Sequence, residues 1–135
     1  MPNSFDSRIK LLDPADTGTS FTADTVALDG PFDVLANVEV GRGIHGFTDE
    51  HTIAVSVINV SKSKVIAQNS ITSPLPPANN EFKAVLVVPF TSGWGATAAD
   101  AIVGDVLEAV ASYTVTAGIY TDYSTAVSQR FVVTK

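Results

Sequence analysis

Phe32-Asp33-Val34-Leu35-Ala36-Asn37-Val38-Glu39-Val40 alternates apolar and polar side chains almost without interruption. Successive side chains of an extended strand point to opposite sides. Phe32, Val34, Ala36, Val38 and Val40 therefore share one face, while Asp33, Asn37 and Glu39 share the other. Such a stretch reads as a strand with one face on a core and one toward water.

The same period recurs on both sides of it. Thr52–Val60 and Val65–Thr72 flank the polar run Ser61-Lys62-Ser63-Lys64 and read as a hairpin. Phe82–Pro89 is nearly continuous in apolar, β-branched residues, as expected of a central core strand, with Pro89 marking its end. Val106–Ala117 and Thr125–Thr134 complete a second hairpin, with Gly118–Ser124 turning the chain between them. Arg8–Leu12 and Thr22–Leu28 are shorter candidates near the N-terminus. Ala96–Val103, rich in alanine and followed by Gly104, reads as one short helical turn. The linkers are Asp13–Gly18, Gly41–Asp49 and the proline-rich Ser73–Asn80. With about eight strands and no βαβ rhythm, the expected fold is all-β: an antiparallel two-sheet sandwich, immunoglobulin-like or jelly-roll-like. Residues 1–135 form one domain, a length that buries a sizeable single core.

Composition narrows the function. Charged residues make up only 16% of the chain, against about 25% in typical soluble domains. Part of the surface must then be apolar or hydroxyl-bearing, which suits a protein covered by partners. A net charge of −6, with Lys62 and Lys64 the only basic cluster, argues against nucleic acid and against anionic membrane surfaces. The longest apolar run, Ala84–Phe90, is far shorter than the ~20 residues a spanning helix needs, so no membrane insertion is expected. There is no cysteine to form disulfides or thiolate metal sites. The opening Met1-Pro2-Asn3-Ser4-Phe5-Asp6 lacks the basic-then-apolar pattern of a signal peptide. Asn59-Val60-Ser61 matches a glycosylation acceptor, which without a secretion signal reads as a chance match.

Gly41-Arg42-Gly43-Ile44-His45-Gly46 has dinucleotide-binding spacing, but that loop must open a helix that holds a pyrophosphate, and here another strand follows. It reads as a connecting loop. His45, Asp49, Glu50 and His51 offer imidazole and carboxylate groups close together, at a spacing that matches no established metal set. No metal or cofactor is expected. Serines lack a recognisable base, and both histidines share one loop, so nucleophilic catalysis is disfavoured. Trp94, Tyr120 and Tyr123 stand near predicted strand ends and could stack on a sugar; the ordinary alternative for Trp94 is packing. Asp16-Thr17-Gly18 resembles the active-site triplet of retroviral-type aspartic proteases, with Ile102-Val103-Gly104 as a second short element of similarity. That resemblance implies a dimer in which two aspartates share a proton. Two departures weaken it: Asp13-Pro14-Ala15 interrupts the apolar strand that should lead into the triplet, and no glycine-tipped flap lies between the elements.

In size, low charge, absence of cysteine and abundance of Thr, Ser, Val and Ala, the chain resembles the small β-sandwich decoration or cement proteins of tailed-phage capsids. The resemblance implies a non-enzymatic homo-oligomer, often a trimer, seated on a protein lattice in a virion or assembled in the host cytoplasm. Phe5, Ile9, Leu11 and Leu12 would then anchor a docking arm formed by residues 1–13; the alternative is a first edge strand of the sandwich. A carbohydrate- or surface-binding module is the competing expectation, and the aspartic protease the third.

Overall fold

The computed structural model describes residues 6–95 and 99–135. The apolar faces read from the sequence close on one another as two packed sheets. The first sheet comprises β1 (Ser7–Asp16), β3 (Phe32–Val40) and β6 (Phe82–Phe90), in the order β1-β3-β6. The second comprises β2 (Thr25–Ala27), β4 (Glu50–Asn59), β5 (Lys64–Pro74), β7 (Val106–Ala117), β8 (Tyr120–Val127) and β9 (Phe131–Thr134). Its path is β2-β9-β7-β4-β5, with β8 also paired to β7. Every strand pair is antiparallel except β2–β9, which is parallel. The all-β antiparallel sandwich is thus the architecture.

Val34, Ala36, Val38 and Val40 of β3 meet Ile53, Val55 and Val57 of β4 and Leu107, Ala109, Tyr113 and Val115 of β7 in one core. Phe32 joins the sheets: it stacks on Phe90 at 5.1 Å and meets Trp94 and Phe131 edge-on at 5.8 and 5.9 Å. At the opposite end, Phe82 lies between the rings of His45 and His51, each 5.5 Å away.

Several boundaries differ from the sequence reading, each for a local reason. β1 runs on through Pro14, which was read as linker. The strand is an edge, and the Pro14 carbonyl accepts from Ala23 N on its open side, so the missing N–H costs no ladder bond. The second hairpin turns at Gly118-Ile119, not over Gly118–Ser124; Gly118 adopts φ 64° and donates its N–H to Asp49 Oδ2 at 2.7 Å. The predicted Thr125–Thr134 strand is two strands. Between the pairs Val110↔Val127 and Leu107↔Phe131 the chain takes three steps along β7 and four along its partner, a one-residue bulge. Ser128 holds that bulge through its N–H to Ala109 O and its Oγ to Ala109 N.

The helical turn expected over Ala96–Val103 does not form at residues 99–103. Residues 96–98 lie outside the described residues. A single helical turn, α1 (Arg42–His45), instead occupies the glycine-rich segment and buries Ile44 and His45. Phe82–Pro89, read as a central strand, is β6 at the edge of its sheet.

Candidate functional site

Most of the candidate residues resolve into structural roles. Ile9 and Leu12 point into the core and are buried. Lys10 is the extra residue of a bulge between Ile9 and Leu11, so these side chains do not form a common anchor row. Of the two expectations for this segment, an edge strand is what the chain forms from Ser7 onward; Leu11 alone of the three is exposed, at 59%. Phe5 lies outside the described residues.

Trp94 is 7% exposed, donates Nε1–H to Gly30 O at 2.7 Å and packs its ring edge-on to Phe32. Its turn is fixed from outside by Asp29, whose Oδ1 accepts from Gly93 N at 2.6 Å and Gly95 N at 3.0 Å. A sugar platform at Trp94 is therefore ruled out by packing. Tyr120 and Tyr123 are exposed, Tyr123 at 70%. Tyr123 borders a shallow groove of about 360 Å³ shared with Asp6, Arg8 and Thr125. Beneath it, Asp122 Oδ2 accepts from the Ser7 N–H and hydroxyl, each at 2.6 Å, and Ser124 Oγ accepts from Ile9 N at 3.0 Å.

The His45–His51 segment does not converge. The His45 Nδ1–H donates to Asn80 O at 2.7 Å, and His51 Nδ1 meets the Tyr113 hydroxyl at 2.7 Å. Asp49 turns away to Gly118. Among the described residues, no group of three or more His, Asp or Glu side chains gathers to hold a metal. Burial pushes the His51 imidazole below its ordinary pKa and pushes the Tyr113 phenol up. With the ring neutral and the phenol protonated, His51 Nδ1 and the Tyr113 hydroxyl share one hydrogen bond whose direction follows the imidazole tautomer. The pair is a satisfied core contact.

Asp16-Thr17-Gly18 forms a tight turn after β1. Gly18, at φ 74°, donates to the buried Asp33 Oδ2, and the Asp16 carbonyl accepts from Thr19 N. Ile102-Val103-Gly104 is another turn, held by Asp105, which accepts from Ile102 N, from Asn59 Nδ2 and from Lys62 Nζ. The Asn59 hydrogen bond first, then the Ile102 amide and Lys62, keep the Asp105 carboxyl below the usual carboxylate range. Asn59 is fully buried, so its glycosylation pattern is inaccessible in the fold.

What remains is a surface that sequence reasoning missed. On the outer face of the three-stranded sheet, Leu11, Asn37 and Val85 lie in one cross-strand row and Asp13, Leu35 and Val87 in the next. Val85 and Val87 are 57% and 45% exposed. At one end of this face Glu39 binds Lys10 at 3.3 Å and Lys83 at 3.8 Å, with Arg8 opposite it in register. Asp13 and Asp33 lie toward the other end.

The β6 edge beside this patch is open. The Pro89 carbonyl accepts from Asn69 Nδ2 at 2.7 Å, so it faces away from β3. Backbone direction alternates along a strand, and the N–H and C=O of one residue share a side. Lys83, Val85 and Val87 therefore aim both backbone groups at this edge, where no further strand among the described residues pairs with β6, although Asn69 of β5 reaches Pro89. The overlooked signal was the position of the Phe82–Pro89 strand, which its composition alone does not reveal.

No family model matches the chain, and no curated protein matches it. Among solved structures it is similar to a β-glucuronidase from glycoside hydrolase family 2, at 10% identity and a TM-score of 0.47. That match covers 90% of this chain but only 12% of the hydrolase. It is also similar to the major subunit of aggregative adherence fimbriae type I from Escherichia coli. There the identity is 9%, the TM-score 0.44, and the coverage 99% of this chain and 98% of the other. Likenesses at this level assign neither a family nor a function.

Proposed function

We propose that this chain is a non-enzymatic structural protein that acts through protein–protein contacts. One observation carries the reading: a strand with the composition of a central one lies at a sheet edge, leaving Val85 and Val87 exposed, with Leu35 beside Val87 and the exposed Leu11 across Asn37 from Val85. Covering a half-exposed valine or leucine is favourable by on the order of 1 kcal/mol each. A contiguous patch of this kind on a lightly charged domain marks a contact surface. The finer form of the proposal is a homo-oligomer seated on a protein lattice, as a capsid decoration or cement subunit in a virion or during assembly in the host cytoplasm. Native mass tests the coarser claim. An oligomer is expected at high protein concentration, and a strict monomer up to the solubility limit overturns self-assembly.

A second reading, contact with a glycan, is favoured by one feature: the exposed Tyr123 ring beside a polar groove lined by Asp6, Arg8 and Thr125. An aromatic face next to convergent polar groups suits a sugar ring. Binding on a glycan array that is lost in Tyr123→Ala supports it; an array without hits removes it.

A further inference from the structure

We infer that the partner at the open β6 edge is the β6 edge of a second copy, paired antiparallel about a two-fold axis near Val85 and Val87. Two three-stranded sheets would then merge into one of six strands. The inference rests on the assembly reading and names its partner.

Three features favour a second copy in this orientation. The backbone groups of Lys83, Val85 and Val87 face the edge, so they can complete a ladder without disturbing the bonds to β3. Their side chains share the outer face, and β-branched pairs placed directly opposite one another stabilise antiparallel strands. The charge layout selects the direction. The outer face is basic at the Arg8, Lys10 and Lys83 end and acidic at the Asp13 and Asp33 end. Antiparallel pairing sets the basic end of one copy beside the acidic end of the other, whereas parallel pairing would put Lys83 against its own counterpart. The contact is therefore self-complementary, as a two-fold interface must be.

The same edge also limits the assembly. Pro89 has no N–H to offer and its carbonyl is engaged by Asn69, so the new ladder ends before it. On the far side of the sheet, Asp122 and Ser124 cover the Ser7 and Ile9 amides, and Phe21 O and Ala23 N pair with the end of β1. Each copy offers this sheet one free edge, and pairing consumes it. Pairing through β6 alone therefore gives a closed dimer, not a trimer or an open fibre.

The test is light scattering with native mass spectrometry on the full chain and three variants. Val85→Lys and Val87→Lys each place a charge on an already exposed position, so each monomer should keep the wild-type circular dichroism and melting temperature. Like charges brought together across the axis should weaken dimerisation at least tenfold, and added salt should partly restore it. Leu11→Lys, two strands from the edge, should leave the dimer intact. A wild-type dimer, monomeric edge variants and a dimeric Leu11→Lys support the inference. An oligomer broken by Leu11→Lys but not by Val85→Lys overturns the edge pairing and leaves assembly standing, through stacked faces. A trimeric mass also overturns the edge pairing alone. A wild-type monomer at every concentration overturns assembly as well. Should Val85→Lys misfold, Val87→Lys decides the question.

Discussion

Replacing Tyr113 by phenylalanine removes one oxygen from the centre of the sandwich and leaves the ring in place. Tyr113 is fully buried and its hydroxyl is hydrogen-bonded to Nδ1 of the buried His51 at 2.7 Å. The variant therefore loses a hydrogen bond and strands a buried ring nitrogen without opening a ring-sized cavity, at a cost of about 1–3 kcal/mol. For a chain of 135 residues the melting temperature should fall by roughly 3 °C at the low end and about 10 °C or more at the high end. The pair also has a pH signature with two wings. Burial holds the His51 pKa below its ordinary value. As the pH drops below about 6.5, the unfolded chain takes up a proton that the folded one refuses, and stability falls until the folded pKa is passed. Its slope is at most about 1.4 kcal/mol per pH unit. Burial pushes the Tyr113 phenol the other way, so stability falls again as the pH rises above about 10, where an unfolded tyrosine ionises. Urea unfolding followed by circular dichroism at about pH 5.5, 7.5 and 10.5 reads all three regimes. Tyr113→Phe should be less stable at neutral pH, keep the acid wing and lose the part of the alkaline wing that Tyr113 supplies. A variant within about 0.5 kcal/mol of wild type at neutral pH, or one with an unchanged alkaline decline, would refute the buried hydroxyl–imidazole bond.

Three further perturbations test the packing. Asn59→Ala removes two bonds of 2.8 Å, to Asp100 O and Asp105 Oδ2, and should cost about 1–3 kcal/mol. It should also let the Asp105 carboxyl rise toward its ordinary value. A depressed folded pKa stabilises the fold above the unfolded value near 3.9, and this contribution is lost as the pH falls through the folded pKa. Acid unfolding followed by circular dichroism should accordingly move to higher pH in the variant; an unchanged midpoint counts against the network. Phe32→Ala empties the contact with Phe90, Trp94 and Phe131 and should cost about 3–5 kcal/mol in a denaturant titration, where a loss below about 1 kcal/mol would be incompatible with a ring that joins both sheets. Trp94 is the chain's one tryptophan, and its emission should resist iodide quenching until the protein unfolds; strong quenching of the native state would mean that the turn held by Asp29 does not dock.

The strands most legible in the sequence are those whose two faces meet different surroundings. β3 and β7 were bounded correctly because one face of each lies on the core and the other does not, so their apolar residues keep a steady phase. β8 lacks that contrast. Asp122 and Ser124, on its inner side, meet the backbone of β1 and not apolar side chains, so the run from Tyr120 to Ser124 reads as a polar turn. The bulge at Ser128 then shifts the phase, and Ala126 and Phe131 face inward though five positions apart. No period-two template spans such a shift. Of the candidate residues, Ile9, Leu12 and Trp94 show why residue type alone misleads: apolar side chains near an end or beside glycines suggest contact with a partner, but the core claims them.

The Phe82–Pro89 reading failed in a more informative way. A run apolar on both faces belongs in the middle of a sheet, because an edge strand with the same composition invites pairing with other chains. Edges are ordinarily blunted by charge or proline, and β6 has Lys83 toward one end and Pro89 at the other. Between these two guards, Val85 and Val87 offer apolar side chains on the open face and backbone groups on the open edge. The inner positions are ordinary by comparison: Phe82, Ala84 and Leu86 are half-buried against the core, and Val88 and Phe90 are buried. If β6 ended the sheet in the working assembly, its outer positions would be expected to carry the polar residues found at Asn37 and Glu39 of β3. Placing a second strand beside β6 makes its pattern consistent with its position again. The sequence of β6 is thus that of a central strand, and the assembly inferred above would make it one.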